Sequence, residues 1–123
     1  MLILFVDDDP EDFEIFCEGV QAIKPHSEVI FRSNGQMALH FLHETTSLPD
    51  CIFLDIHMPV MDGFEFLKII KADKKTKGIP VIVYSSDVTP RTVDVVKELG
   101  AKEIIPKPSA IPVLIQLLRG VLA

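Results

Sequence analysis

Leu2-Ile3-Leu4-Phe5-Val6-Asp7-Asp8-Asp9-Pro10 opens the chain with an unbroken apolar run that turns abruptly acidic. Five apolar residues without alternation read as a strand covered on both faces, as in a parallel sheet. Pro10 fits the first turn of a following helix, with Asp9 as its cap. The junction recurs down the chain. Cys51-Ile52-Phe53-Leu54 runs into Asp55, Val81-Ile82-Val83-Tyr84 into Ser85, and Glu103-Ile104-Ile105 reaches Lys107 across Pro106. Longer segments of helical period lie between them. In the first, Phe13, Phe16, Cys17, Val20 and Ile23 share one stripe. This alternation is the βαβ pattern.

Strands are expected at about 2–6, 28–32, 51–54, 80–84 and 103–105, and helices at about 10–23, 34–44, 62–72, 90–98 and 109–122. Glu28-Val29-Ile30-Phe31-Arg32 has polar ends and suits a sheet edge. Lys24-Pro25 and Gly100 close helices, while Pro90 and Pro112 fit helix starts. In the last helix Ile111, Leu114, Ile115, Leu118 and Val121 are expected to face the core, with Val113 and Leu117 on another side. Right-handed crossovers then give an α/β, doubly wound, five-stranded parallel sheet of order 2-1-3-4-5. Its five helices make a three-layer sandwich.

At 123 residues the chain reads as one domain over 1–123, large enough to bury a core without a disulfide. The net charge of −6, with no basic cluster beyond the loop Lys74-Lys75-Thr76-Lys77, argues against direct nucleic acid binding. No apolar run has membrane length, and no signal peptide is expected. Cys17 and Cys51 read as small buried hydrophobes in a reducing cytoplasm.

In an open parallel sheet, chemistry gathers at the carboxyl ends of the strands. Asp7, Asp8 and Asp55 would meet there. Carboxylates about 5 Å apart repel by roughly 3 kcal/mol per pair at an effective dielectric near 20. A divalent cation relieves that strain, and all-oxygen ligands favour a hard ion such as Mg²⁺. Taken alone, Asp7-Asp8-Asp9-Pro10 is a helix cap with surface acids. That reading leaves Asp55 and Lys107, at the matching ends of other strands, unexplained. A carboxylate at Asp55 can act as a nucleophile toward phosphorus, with the cation, the Lys107 ammonium and the Ser85 hydroxyl each taking one phosphoryl oxygen.

These residues resemble the receiver domain of two-component response regulators (CheY-like) along essentially the whole chain. The motifs are Leu4-Phe5-Val6-Asp7-Asp8-Asp9-Pro10, Asp50-Cys51-Ile52-Phe53-Leu54-Asp55-Ile56-His57-Met58-Pro59-Val60-Met61-Asp62-Gly63, Pro80-Val81-Ile82-Val83-Tyr84-Ser85-Ser86, Gly100-Ala101-Lys102 and Lys107-Pro108. The resemblance implies that Asp55 accepts a phosphoryl group from a sensor histidine kinase or a histidine phosphotransfer protein. It implies Mg²⁺ on Asp7, Asp8, Asp55 and the backbone carbonyl of His57, with Ser85 as switch hydroxyl and Lys107 as phosphate-binding lysine. It also implies a cis Lys107-Pro108 bond, and an output face of fourth helix, fifth strand and fifth helix that binds a downstream protein or a second copy.

Two positions depart from the pattern. Ile104 stands where the family often has an aromatic switch residue, and its stiff β-branched side chain cannot rotate in that way. His57, two residues past the acceptor, is either an exposed loop residue or a gate on water, and Asp87 holds the matching place after Ser85. No output domain is expected within 1–123, so the chain reads as a stand-alone receiver or a piece of a longer protein. A dehalogenase-like phosphatase would need an acid where His57 stands. A flavin carrier would need an uncharged phosphate cradle in place of Asp7-Asp8-Asp9. A receiver-like interaction module that is never phosphorylated is the remaining alternative.

Overall fold

A computed structural model describes residues 1–122. The elements run β1 (Leu2–Val6), α1 (Pro10–Ile23), β2 (Glu28–Arg32), α2 (Gly35–Glu44), β3 (Cys51–Leu54), α3 (Gly63–Ala72), β4 (Val81–Ser85), α4 (Pro90–Glu98), β5 (Glu103–Pro106) and α5 (Ile111–Leu122). All five strands are parallel, in the order β2-β1-β3-β4-β5. Both the topology and the element order match the expectation. The boundaries shift slightly: Ser85 closes β4, Pro106 extends β5, and α5 starts at Ile111. Ala123, the last residue of the expected domain, lies outside the described residues.

Strand residues alternate between two cores. Ile3, Phe5, Cys51, Phe53, Ile82, Tyr84 and Ile105 face α1 and α5. Leu4, Val6, Ile52, Leu54, Val81 and Val83 face α2, α3 and α4. The first core is aromatic, with Phe5 stacked on Phe16 at 4.5 Å and Phe13 on Phe31 at 4.7 Å between ring centroids. It anchors α1, and hence the helix start that follows Asp7 and Asp8. On the same side α1 and α5 come close at Gly19, where a Cβ would lie 2.9 Å from side-chain carbons of Leu114 and Leu118.

Three expectations need correction. Leu117 does not stand on a free side of α5, because it packs with Val121 against the aromatic core. The buried stripe is Leu114, Leu118 and Leu122, and Leu117 is one turn from Leu114 on its flank. Of the two residues expected outside, only Val113 is exposed, at 48%. The Lys107-Pro108 bond is trans, as is every other peptide bond among the described residues. The trans form is the intrinsically preferred one even before proline. Of the free cysteines, Cys51 is buried and Cys17 only half-buried. Ile104 is half-buried against the core under α4. Pro106 pairs in register with Ser85 on the edge strand, where its missing N–H is tolerated.

Candidate functional site

Pairing of β1 with β3 puts Val6 beside Leu54, so the residues that follow each strand emerge side by side. The Asp55 N–H donates to the Val6 carbonyl, 2.9 Å away, and fixes this junction. Oxygens of Asp7, Asp8 and Asp55 lie within 4.8 Å of one another. Asp7 is fully buried and Asp55 nearly so, whereas Asp8 is exposed. Asp7 Oδ1 accepts the N–H of Asp9, and Asp55 Oδ1 that of Ile56. Burial pushes the Asp7 carboxyl up to about 6; the Lys107 ammonium close beside it acts against that rise.

Lys107 reaches this cluster from the end of β5. Its Nζ donates to Asp12 Oδ2 at 2.8 Å and to Asp55 Oδ2 at 3.2 Å. It also lies 2.8 Å from Asp7 Oδ2, an ion-pair distance. The direction is poor for a hydrogen bond, and the buried Asp7 Oδ2 makes none. Burial alone would lower the Lys107 pKa. The hydrogen bond to Asp12 and the neighbouring carboxylates of Asp7 and Asp55 raise it instead.

Ser85 is buried at the end of β4, and its Oγ accepts the N–H of Asp87 at 3.0 Å. The Asp87 carboxylate takes hydrogen bonds from the hydroxyls of Thr89 and Thr92 at the start of α4. It also pairs with His57 Nε2 at 2.8 Å. The His57 hydrogen bond, followed by those of Thr89 and Thr92, pulls the Asp87 carboxyl down to about 2. The His57 side chain is 63% exposed.

The loop between Asp55 and α3 is shaped by two positions. Gly63 opens α3 directly under Asp55, where a Cβ would collide with the Asp55 carbonyl oxygen and the Ile56 backbone. Val60 holds a positive φ of 70° and is 71% exposed. That conformation is uncommon outside glycine, and a β-branched residue is strained there.

Asp7, Asp8, Asp55 and Lys107 thus meet at one edge of the sheet, and Ser85 ends β4 at that same edge, where its carbonyl accepts the Lys107 N–H at 3.0 Å. The cluster fits a divalent cation: three carboxylates converge, and one buried oxygen lacks a hydrogen-bond donor. Sequence reasoning missed Asp12. An acid in a first helical turn is ordinary, and only its position one turn past the acidic run hinted that it faces the same way.

Residues 3–119 match the response regulator receiver domain family. A probable cyclic di-GMP phosphodiesterase of Vibrio cholerae is 33% identical over 112 residues, which are 91% of this chain and 24% of that protein. The chain therefore spans about a quarter of the length of that relative. The crystal structure of the phosphorylated cyanobacterial phytochrome response regulator RcpA superposes with a TM-score of 0.88 at 29% identity, covering 98% of this chain and 89% of the other. The Mn²⁺-bound form of response regulator Rcp1 gives a TM-score of 0.86 at 27% identity, covering 98% and 90%.

Proposed function

The chain belongs to the response regulator receiver domain family of two-component signalling, and from that premise we propose that Asp55 is its phosphoacceptor. The observation that carries this reading is the approach of Lys107 Nζ to Asp55 Oδ2, 3.2 Å apart, beside the carboxylates of Asp7 and Asp8. An Asp55 oxygen attacks the phosphorus of a phosphohistidine on a sensor kinase or phosphotransfer protein. The new O–P bond forms as the P–N bond breaks, and the electron pair returns to the imidazole nitrogen. Lys107 exchanges its contact with Asp55 for a phosphoryl oxygen. The Ser85 hydroxyl, which accepts from Asp87, keeps its own proton available for another.

Asp7, Asp8 and Asp55, with the His57 carbonyl, would hold Mg²⁺, a hard ion that suits oxygen ligands. When bound it supplies positive charge to the transferring phosphoryl group. Catalysis by the chain itself is limited to this self-phosphorylation and to hydrolysis of the product. The domain is the whole of 1–123 and works in the cytoplasm; among the described residues no helix is long and apolar enough to cross a membrane. Output runs through α4, β5 and α5, where Val113 of α5 and, in the loop leading into α4, Val88 are exposed apolar residues and a downstream protein or a second copy would dock.

An unphosphorylated interaction module is not favoured, since it would have no use for converging carboxylates around a half-buried lysine. The test is incorporation of phosphate from acetyl phosphate with Mg²⁺. Asp55→Asn should abolish it without loss of fold, and so should EDTA. Equal incorporation in either case would sink the assignment.

A further inference from the structure

The Lys107 ammonium has three protons and three carboxylates around it: Asp7, Asp12 and Asp55. These partners are not equivalent. Asp7 and Asp55 belong to the three-carboxylate cluster, and among the described residues Asp12 does not. A cation drawn into that cluster competes with Lys107 for Asp7 and Asp55 and repels the ammonium. Phosphorylation then converts the Asp55 carboxylate into an acyl phosphate, a mixed anhydride whose negative charge lies on the phosphoryl oxygens. Asp12 is the one carboxylate left to Lys107 throughout. Its place on α1 is anchored by the next residue, Phe13, whose ring is stacked on Phe31.

We propose that Asp12 is a positioning residue for phosphoryl transfer, holding the Lys107 ammonium beside Asp55 once metal and phosphate have claimed the other two carboxylates. A first-turn acid stabilises its own helix in any protein. That general role does not account for a 2.8 Å bond to a lysine 95 positions away. Lys107 is only 15% exposed, so without Asp12 its charge would have little solvent to turn to.

The proposal rests on the phosphoacceptor reading above, and its test separates the two. Beryllofluoride binding to the full chain is measured by calorimetry at saturating Mg²⁺, in wild type, Asp12→Ala, Lys107→Ala and the double variant. Mg²⁺ affinity is measured separately without beryllofluoride. Asp12→Ala should weaken beryllofluoride binding about tenfold, the scale of one charge-assisted hydrogen bond. In the Lys107→Ala background the same change should do nothing further, because Asp12 acts only through Lys107. Asp12→Asn, which keeps shape and one acceptor, should fall between. Equal losses from Asp12→Ala in both backgrounds, or none in either, would overturn the proposal. A wild-type chain that takes up no beryllofluoride at all would overturn the phosphoacceptor reading, and this inference with it.

Discussion

His57 Nε2 stands 2.8 Å from Asp87 Oδ2, so the residues two past Asp55 and two past Ser85 hold each other across the mouth of the site. The pair ties the loop after β3 to the loop after β4. Asp87 extends the link to Thr89 and Thr92 at the start of α4, and its N–H bonds the Ser85 hydroxyl. Any movement of Ser85 toward a phosphoryl group must break that last bond.

The pair should therefore slow hydrolysis of phosphorylated Asp55 as a unit. His57→Ala and Asp87→Ala should each speed loss of phosphate by about threefold, the scale of an exposed ion pair. The double variant should be no faster than either single one. Decay of radiolabelled protein gives the rates. Additive effects, or none, would show that the two side chains do not act together.

Asp7 predicts how stability responds to pH. Burial lifts its pKa from 3.8 to about 6, so the folded chain binds this proton more tightly than the unfolded chain does. The stabilisation is complete below the unfolded value and is lost as pH rises through about 6. In EDTA, urea denaturation should show Asp7 adding on the order of 2 kcal/mol at pH 4 relative to pH 7. Asp7→Asn should flatten that part of the profile. A slope unchanged by the substitution would refute the assignment.

Gly63→Ala should be severe. The added methyl would meet backbone at Asp55 and Ile56, which cannot swing aside. A loss of about 3 kcal/mol is expected, at the upper end for overpacking. Weaker Mg²⁺ binding should accompany it as the Asp55 junction is pushed apart. Thermal denaturation and metal titration both read the effect, and a wild-type melting temperature would refute it.

Val60→Gly should do the reverse. Relief of a β-branched residue at φ 70° is worth about 1 kcal/mol, offset in part by the entropy glycine adds to the unfolded chain. A higher denaturation midpoint is expected with no change in fold. A clear loss of stability would mean that the loop is not strained.

Val113, not Leu117, is the residue with which to probe the output face, because Leu117 is packed against the core. Val113→Glu should weaken association with a downstream partner or a second copy at little cost to stability. Leu117→Glu should instead unfold the chain by forcing a charge against apolar side chains. Light scattering and thermal melts on the two variants separate these effects. If Val113→Glu leaves association intact, the output surface lies elsewhere.

The amino-acid sequence by itself determined the element order, the sheet order and the meeting of Asp7, Asp8, Asp55, Ser85 and Lys107. Strands buried on both faces are written as unbroken apolar runs, and right-handed crossovers leave few ways to order them. Whatever follows a parallel strand must then emerge at one edge. Only the tertiary structure decided that Asp12 joins Lys107, that His57 finds Asp87, that Leu117 turns inward and that Lys107-Pro108 is trans. Those outcomes depend on how α1 and α5 approach at Gly19, on loop backbones such as that of Val60, and on side-chain directions across tens of residues. The free energies involved are small and arise from packing between distant segments, which local sequence pattern does not encode.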